Sequence, residues 1–237
     1  MNLRLHLAED DPLFAGHFPG HPILPAVAQL AWVEQALGGP LAALKNVRLR
    51  SPVRPGDGLE LALSPPDDRG WTRFEILRGG QAVSGGSALR GDGLDGLADP
   101  GPLGDPDAPF SPVADFLPHG PPAALLRGTG VAVIPRDHPL VRDGRATALL
   151  GIEAGAQAAA LLEAFGGPEG ERASPRIGYL VGIREARFTV RCLPAGEVLR
   201  VVATPAGGAP PLSLYDVAVG MPGREGVQAR ISTYLLE

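Results

Sequence analysis

The 237-residue chain has a single cysteine, Cys192. That excludes an intramolecular disulfide and any cysteine-based metal cluster. Lysine is almost missing too, with Lys45 alone among 21 basic residues. Aromatic residues make up 5% of the chain and the net charge is −5, so the basic, aromatic-studded surface of a nucleic-acid binder is not available. No apolar run approaches the ~20 residues that span a bilayer. The longest, Ala154–Ala164, is interrupted by Gln157 and Glu163. The opening MNLRLHLAEDDP carries neither the basic region nor the apolar region of a secretory signal. These absences predict a soluble, cytoplasmic protein with no nucleic-acid or membrane partner.

Glycine and proline are abundant instead, at 33 and 26 residues, a share that touches the range of low-complexity disorder. Hydrophobic residues at 44% and charged residues at 20% argue the other way, because there is apolar surface to bury and little self-repulsion. The glycines and prolines are then expected to punctuate a globular fold. The stretch 91–109, GDGLDGLADPGPLGDPDAP, has no periodicity and reads as a linker between segments 1–90 and 110–237.

The two segments share an order of features, as an internal duplication would. In the first, Pro25 opens the apolar run AVAQLAWVEQAL, which Gly38-Gly39-Pro40 stops; this predicts a buried helix. Alternating residues from Asn46 to Leu63, broken at Pro55-Gly56-Asp57, predict two strands, and Trp71–Leu77 with Ala82–Leu89 a hairpin. In the second, Thr147–Phe165 is an apolar helix stopped by Gly166-Gly167-Pro168. Ile183–Val202 then repeats the strand–turn–strand pattern, and Leu214–Val219 with Val227–Leu235 forms a closing hairpin. The predicted class is α+β: two central helices, each wrapped by an antiparallel sheet, forming a pseudo-dimer within one chain. This is a double hot dog.

The most specific string is His17-Phe18-Pro19-Gly20-His21-Pro22-Ile23-Leu24-Pro25-Ala26. It resembles the His-Phe-Pro-Gly signature of hot-dog 3-hydroxyacyl-[acyl-carrier-protein] dehydratases, particularly those of aryl-polyene-type pathways. Pro52–Asp57 resembles that family's next segment. Gly151-Ile152-Glu153-Ala154-Gly155-Ala156-Gln157-Ala158 resembles a stretch of a dehydratase-like partner protein from the same pathways, as does Phe116–Pro122. The resemblance implies that water is removed from 3-hydroxyacyl thioesters in fatty-acid or polyene-type synthesis. It also implies an acyl carrier protein as partner, with the substrate on its phosphopantetheine and no cofactor or metal of the chain's own. Whether double hot dogs pair further into a homodimer is left open.

One departure shapes the expected site. The family's carboxylate lies fourteen residues after the histidine, and that position here is Ala31. Glu34, one turn further along the helix, is displaced by about 4.5 Å. Matching the Glu153–Gln157 spacing to Ala31–Gln35 puts Glu153 where the first helix has alanine. The family builds its site from two subunits, so a fused pair would set His17 with Glu153 and His138 with Ala31. One working site is therefore expected, with His17 as base and Glu153 as acid on an apolar helix, where desolvation favours the neutral carboxyl. Phe18, Gly20, Pro25, Ala148, Leu149 and His138 are the expected substrate-binding residues, with the amides near Ala148 and Leu149 as oxyanion donors. His119 and His21 are read as structural or pocket-lining, and Gln35 and Gln157 as bonding backbone in the core. Two alternatives stay open: a hot-dog thioesterase, and a non-catalytic acyl-binding or partner subunit.

Overall fold

A computed structural model describes residues 2–91, 119, 123–128, 130–165, 178–221 and 223–235. The stretch read as a linker and the Gly166-Gly167-Pro168 stop lie, but for Gly91, outside the described residues. Each half lays an antiparallel sheet around one helix. In the first half these are β1 (Asn2–His6), α1 (Ala26–Ala36), β2 (Leu41–Leu49), β3 (Gly58–Leu63), β4 (Trp71–Arg78) and β5 (Gln81–Arg90). The second half has β6 (Leu126–Gly128), β7 (Val131–Val133), β8 (Val141–Arg142), β9 (Arg145–Thr147) and α2 (Leu150–Phe165). It continues with β10 (Gly178–Phe188), β11 (Cys192–Pro194), β12 (Val198–Ala209), β13 (Leu212–Met221) and β14 (Arg224–Leu235).

The strands form an eleven-stranded sheet in the order β1-β3-β4-β5-β2-β10-β14-β13-β12-β7-β6. Its midpoint is the antiparallel pair β2–β10, in register Arg48↔Gly182 and Val47↔Ile183. On either side the order is a mirror: β2, β5, β4, β3 answer β10, β14, β13, β12. The joint between the halves is thus backbone hydrogen bonding, and the fold is the expected double hot dog.

Besides the short hairpin β6–β7, two features lie outside the predicted elements. The N-terminus, read as loop, is strand β1 on the sheet edge, where Leu3 and Leu5 pair with Leu61 and Leu59 of β3. A separate three-stranded sheet, β11-β9-β8, joins the two short strands ahead of α2 to β11 beyond it. Its strands span only two or three residues each, too few for an alternation pattern to stand out.

Helix α1 begins after Pro25 and buries Val27, Ala28, Leu30 and Val33, as its all-round apolar sequence requires. Helix α2 meets its sheet through glycine. A Cβ on Gly151 would come within 2.7 Å of Val227, and one on Gly155 within 2.8 Å of Val217. The two glycines lie one helical turn apart, so α2 rests its backbone directly on β13 and β14. Residues 153 and 157 are offset by about 200° from that face, so Glu153 and Gln157 point away from the sheet.

Candidate active site

The loop after the short 3₁₀ turn Pro12–Phe14 is held by its own backbone. The Ile23 amide donates to the His17 carbonyl at 2.9 Å, and the Leu24 amide donates to the Val53 carbonyl at 2.8 Å. His17 is buried, with its Nδ1 3.1 Å from the Ile23 carbonyl oxygen. A carbonyl can only accept, so Nδ1 carries the ring proton and Nε2 keeps its lone pair. That Nε2 lies 3.9 Å from Glu153 Oε1. The expected juxtaposition across the two halves is present.

Gln157, one turn along α2, clamps the carboxylate. Its Nε2 donates to Glu153 Oε1 at 3.1 Å and to the Ala123 carbonyl at 2.8 Å. Its Oε1 accepts from the amides of Leu125 and Leu126. Gln157 therefore bonds backbone in the core as expected. Gln35 does not: it is exposed on α1.

A third group joins them that the sequence reading left as pocket lining. His119 Nε2 is 3.5 Å from Glu153 Oε1. Phe18 packs against both imidazoles, with ring centroids 4.4 Å from His17 and 4.7 Å from His119. Burial holds His119 neutral, its pKa pushed down to about 4 against the opposing pull of Glu153. Its Nδ1 is buried without a hydrogen-bond partner. The Leu-Pro-His string was the available signal, but nothing in its spacing linked residue 119 to residue 153.

These groups line one end of a cavity of about 230 Å³ that runs along α2 past Ala156 and Ala160 to Glu163, Tyr179 and Thr233. The alanines leave the room, and Ile23, Leu24 and Leu180 supply apolar wall. Ala26, the first residue of α1, also lines it. The amides of Ala26 and Val27 belong to the first turn, whose N–H groups have no acceptor within the helix.

The other expected residues fall as follows. Phe18 lines the cavity. Gly20 is exposed at φ +74°, where it turns the loop, and lies outside the cavity wall. Pro25 and His138 line a second niche of about 10 Å³ behind His17 and Glu153. His138 is thus on the side of Glu153, and the expected pairing with Ala31 is not formed. Ala31 packs against the core and lines neither cavity. His138 Nδ1 accepts from the Leu140 amide, and burial lowers its pKa.

The oxyanion assignment needs a similar correction. Ala148 and Leu149 are buried away from the cavity wall, and the Leu149 amide already donates to Thr147 Oγ1 at 3.3 Å. The first-turn amides that lie beside the cavity are those that begin α1. Glu34 does not substitute for the missing acid either. Its carboxylate accepts from Thr147 Oγ1 at 2.8 Å and from the Leu41 amide at 3.2 Å, tying α1 to the approach to α2. Burial raises its pKa although both hydrogen bonds oppose the shift.

Comparison with known families separates the halves as the site does. Residues 1–87 match the ApeI-like family, described as ApeI dehydratase, and residues 111–236 match the ApeP-like family, described as ApeP dehydratase. The second match covers more than half of the chain. The chain belongs to the ApeP-like dehydratase family, with an ApeI-like domain in tandem. Curated relatives match about a third of the chain. The 3-hydroxyacyl-[acyl-carrier-protein] dehydratase FabZ of Campylobacter hominis is 36% identical over 87 residues, 30% of this chain and 58% of that protein. FabZ of Thermomicrobium roseum is 37% identical over 106 residues, 38% of this chain and 68% of that protein. The chain thus spans little more than half the length of the first of these relatives.

Solved structures cover the whole ApeI–ApeP-like tandem. The dehydratase domain of RzxB from Pseudomonas fluorescens superposes with a TM-score of 0.73 at 18% identity, over 98% of this chain and 93% of that one. The dehydratase domain of PpsC from Mycobacterium tuberculosis, solved in complex with C12:1-CoA, gives 0.63 at 14% identity, over 99% and 93%. At these identities the likeness carries the fold. Among the described residues no helix is long and apolar enough to cross a membrane.

Proposed function

We propose that this ApeI–ApeP-like chain removes water from 3-hydroxyacyl thioesters carried on acyl carrier protein, giving 2-enoyl thioesters at a single composite site. The observation that carries this reading is His17 Nε2 lying 3.9 Å from Glu153 Oε1, both buried at the end of an elongated cavity. In this reading His17 Nε2 takes the proton from C2 of the substrate. The C2–H pair becomes the C2=C3 double bond, the C3–O bond breaks, and Glu153 gives its proton to the departing hydroxyl, which leaves as water. Because Oε1 accepts from Gln157, the transferable proton belongs on Oε2. Charge gathers on the thioester oxygen as C2 loses its proton, and the first-turn amides of α1 at Ala26 and Val27 are suited to receive it. Returning the proton from His17 to Glu153 resets the site.

The rest of the cavity offers an acyl chain the apolar wall of Ala156, Ala160, Leu180 and Val181, with Glu163 and Thr233 as its polar limit. The FabZ relatives are named for 3-hydroxyacyl groups on acyl carrier protein, and the PpsC domain holds a C12:1 acyl thioester, which supports the same substrate class. We read the chain as two domains, 1–90 and 110–237, working as one unit in the cytoplasm, with the phosphopantetheine thioester brought by the carrier. The test is to incubate the protein with 3-hydroxyacyl and enoyl thioesters on carrier protein and follow the 18-dalton exchange in both directions by mass spectrometry. Conversion that collapses in Glu153→Gln is the expected result. Free acid released in place of enoyl product would point to a thioesterase, and no conversion at any chain length to a binding subunit.

A further inference from the structure

We infer that His17, His119 and Glu153 form a binding site for a borderline-soft divalent cation, of which Zn²⁺ is the type, and that its occupancy shuts the dehydratase site. The donor atoms, two imidazole nitrogens and one carboxylate oxygen, all lie within 4.8 Å of one another, and all three residues are largely buried. Zinc bonds of about 2.0–2.2 Å in tetrahedral geometry place neighbouring donors roughly 3.4 Å apart. The observed separations from Glu153 Oε1, 3.5 Å to His119 Nε2 and 3.9 Å to His17 Nε2, are within a small side-chain adjustment of that figure.

Two of the three donors are held as such a site needs. A ligating histidine usually gives its other ring N–H to a carbonyl, which fixes the tautomer and aims the lone pair. His17 does this through Nδ1 and the Ile23 carbonyl. Glu153 is oriented by Gln157. His119 Nδ1 has no hydrogen-bond partner among the described residues, so its tautomer is not fixed as that of His17 is and Nε2 is free to be the ligating atom. The fourth position opens into the cavity, where water can complete the tetrahedron. A donor set of two nitrogens and one oxygen favours Zn²⁺, Co²⁺ or Ni²⁺, whereas Mg²⁺ and Ca²⁺ prefer all-oxygen sites.

Binding is a ligation step with no change of oxidation state. Three donor pairs enter the metal, and the Glu153 proton leaves to solvent. His17 then has no lone pair for the substrate and Glu153 has no proton to give. The inhibitory consequence rests on the proposed dehydratase chemistry; the metal site itself does not.

The experiment uses the full chain, stripped with EDTA and titrated with Co²⁺, whose visible absorption reports low-symmetry coordination directly. Thioester turnover is followed in parallel with Zn²⁺. The expected result is one equivalent of tightly held Co²⁺, its spectrum displaced by Zn²⁺. Turnover should fall in proportion to Zn²⁺ occupancy and return with EDTA. His119→Asn and Glu153→Gln, each checked by thermal melting without metal, should weaken Co²⁺ binding by more than the ~10–100-fold that loss of a supporting residue costs. His6→Gln, at an exposed histidine of β1, should leave binding unchanged. Absence of the Co²⁺ spectrum in an active enzyme overturns the site while the dehydratase reading stands. Persistence of the spectrum in His119→Asn also overturns the site. Full turnover with Zn²⁺ bound overturns the inhibition. A normal spectrum on a chain with no turnover in EDTA would instead locate the failure in the dehydratase reading.

Discussion

The two central helices hold equivalent places in a mirrored sheet, yet the position that sequence spacing matches between them carries different residues. On α1 it is Ala31, packed into the core; on α2 it is Glu153, clamped by Gln157 and facing the cavity. The loop before α1 supplies His17 and the first-turn amides, while the half that carries Glu153 brings His119 and His138 to the same carboxylate. The groups proposed to react gather on the Glu153 side, and Ala31 serves as packing. Glu34, the acid nearest the vacated position, ties α1 to Thr147 instead.

The largest effect is expected from exchanging the residues that distinguish the helices. Glu153→Gln should lower turnover by ~10²–10⁴-fold, the usual worth of a positioned acid or base, without changing the melting curve. Ala31→Glu, the reverse exchange, should add no activity, because no histidine faces that position, and steady-state turnover per chain checks both. Next comes packing. Gly155→Val forces a side chain into Val217, 2.8 Å from the built Cβ, and should cost ~1–3 kcal/mol or more in urea unfolding.

The two glutamines give a smaller contrast. Gln157→Leu leaves the Ala123 carbonyl and the Leu125 amide unpaired in the core, for a loss of ~1–3 kcal/mol. Gln35→Leu on the exposed face should stay within about 0.5 kcal/mol. The smallest effect is a slope. The pKa of Glu34 is raised in the folded chain, so between the ordinary carboxylate value of 4.5 and the raised one the native state holds more protons than the unfolded state. Stability from this group is therefore lost as pH rises through that window. Urea midpoints compared at pH 4.5 and pH 7 should show Glu34→Gln flattening this part of the profile.

Much of the fold was legible because its punctuation is local. Pro25 before α1, Gly38-Gly39-Pro40 after it, and Pro55-Gly56-Asp57 between β2 and β3 act within a few residues of where they stand. Strand β1 was missed since its pairing partner, β3, lies about fifty residues away. In the site, His17 and Glu153 were readable from motif and spacing. His119 was not, because its place beside Glu153, more than thirty residues further along the chain, is set by tertiary packing and not by spacing. The oxyanion donors were expected at α2 on the general ground that helix starts carry free amides. Thr147 takes the Leu149 amide, a side-chain contact that helix propensity does not foretell.

Whether His17 of the first half and Glu153 of the second act as one site is read from a double-mutant cycle on single-turnover dehydration. Residues acting as a unit are strongly non-additive. The prediction is that His17→Ala and Glu153→Gln each remove nearly all turnover, and that the double variant is no slower than the slower single one. Losses that multiply, or a single variant that keeps wild-type turnover, would contradict it.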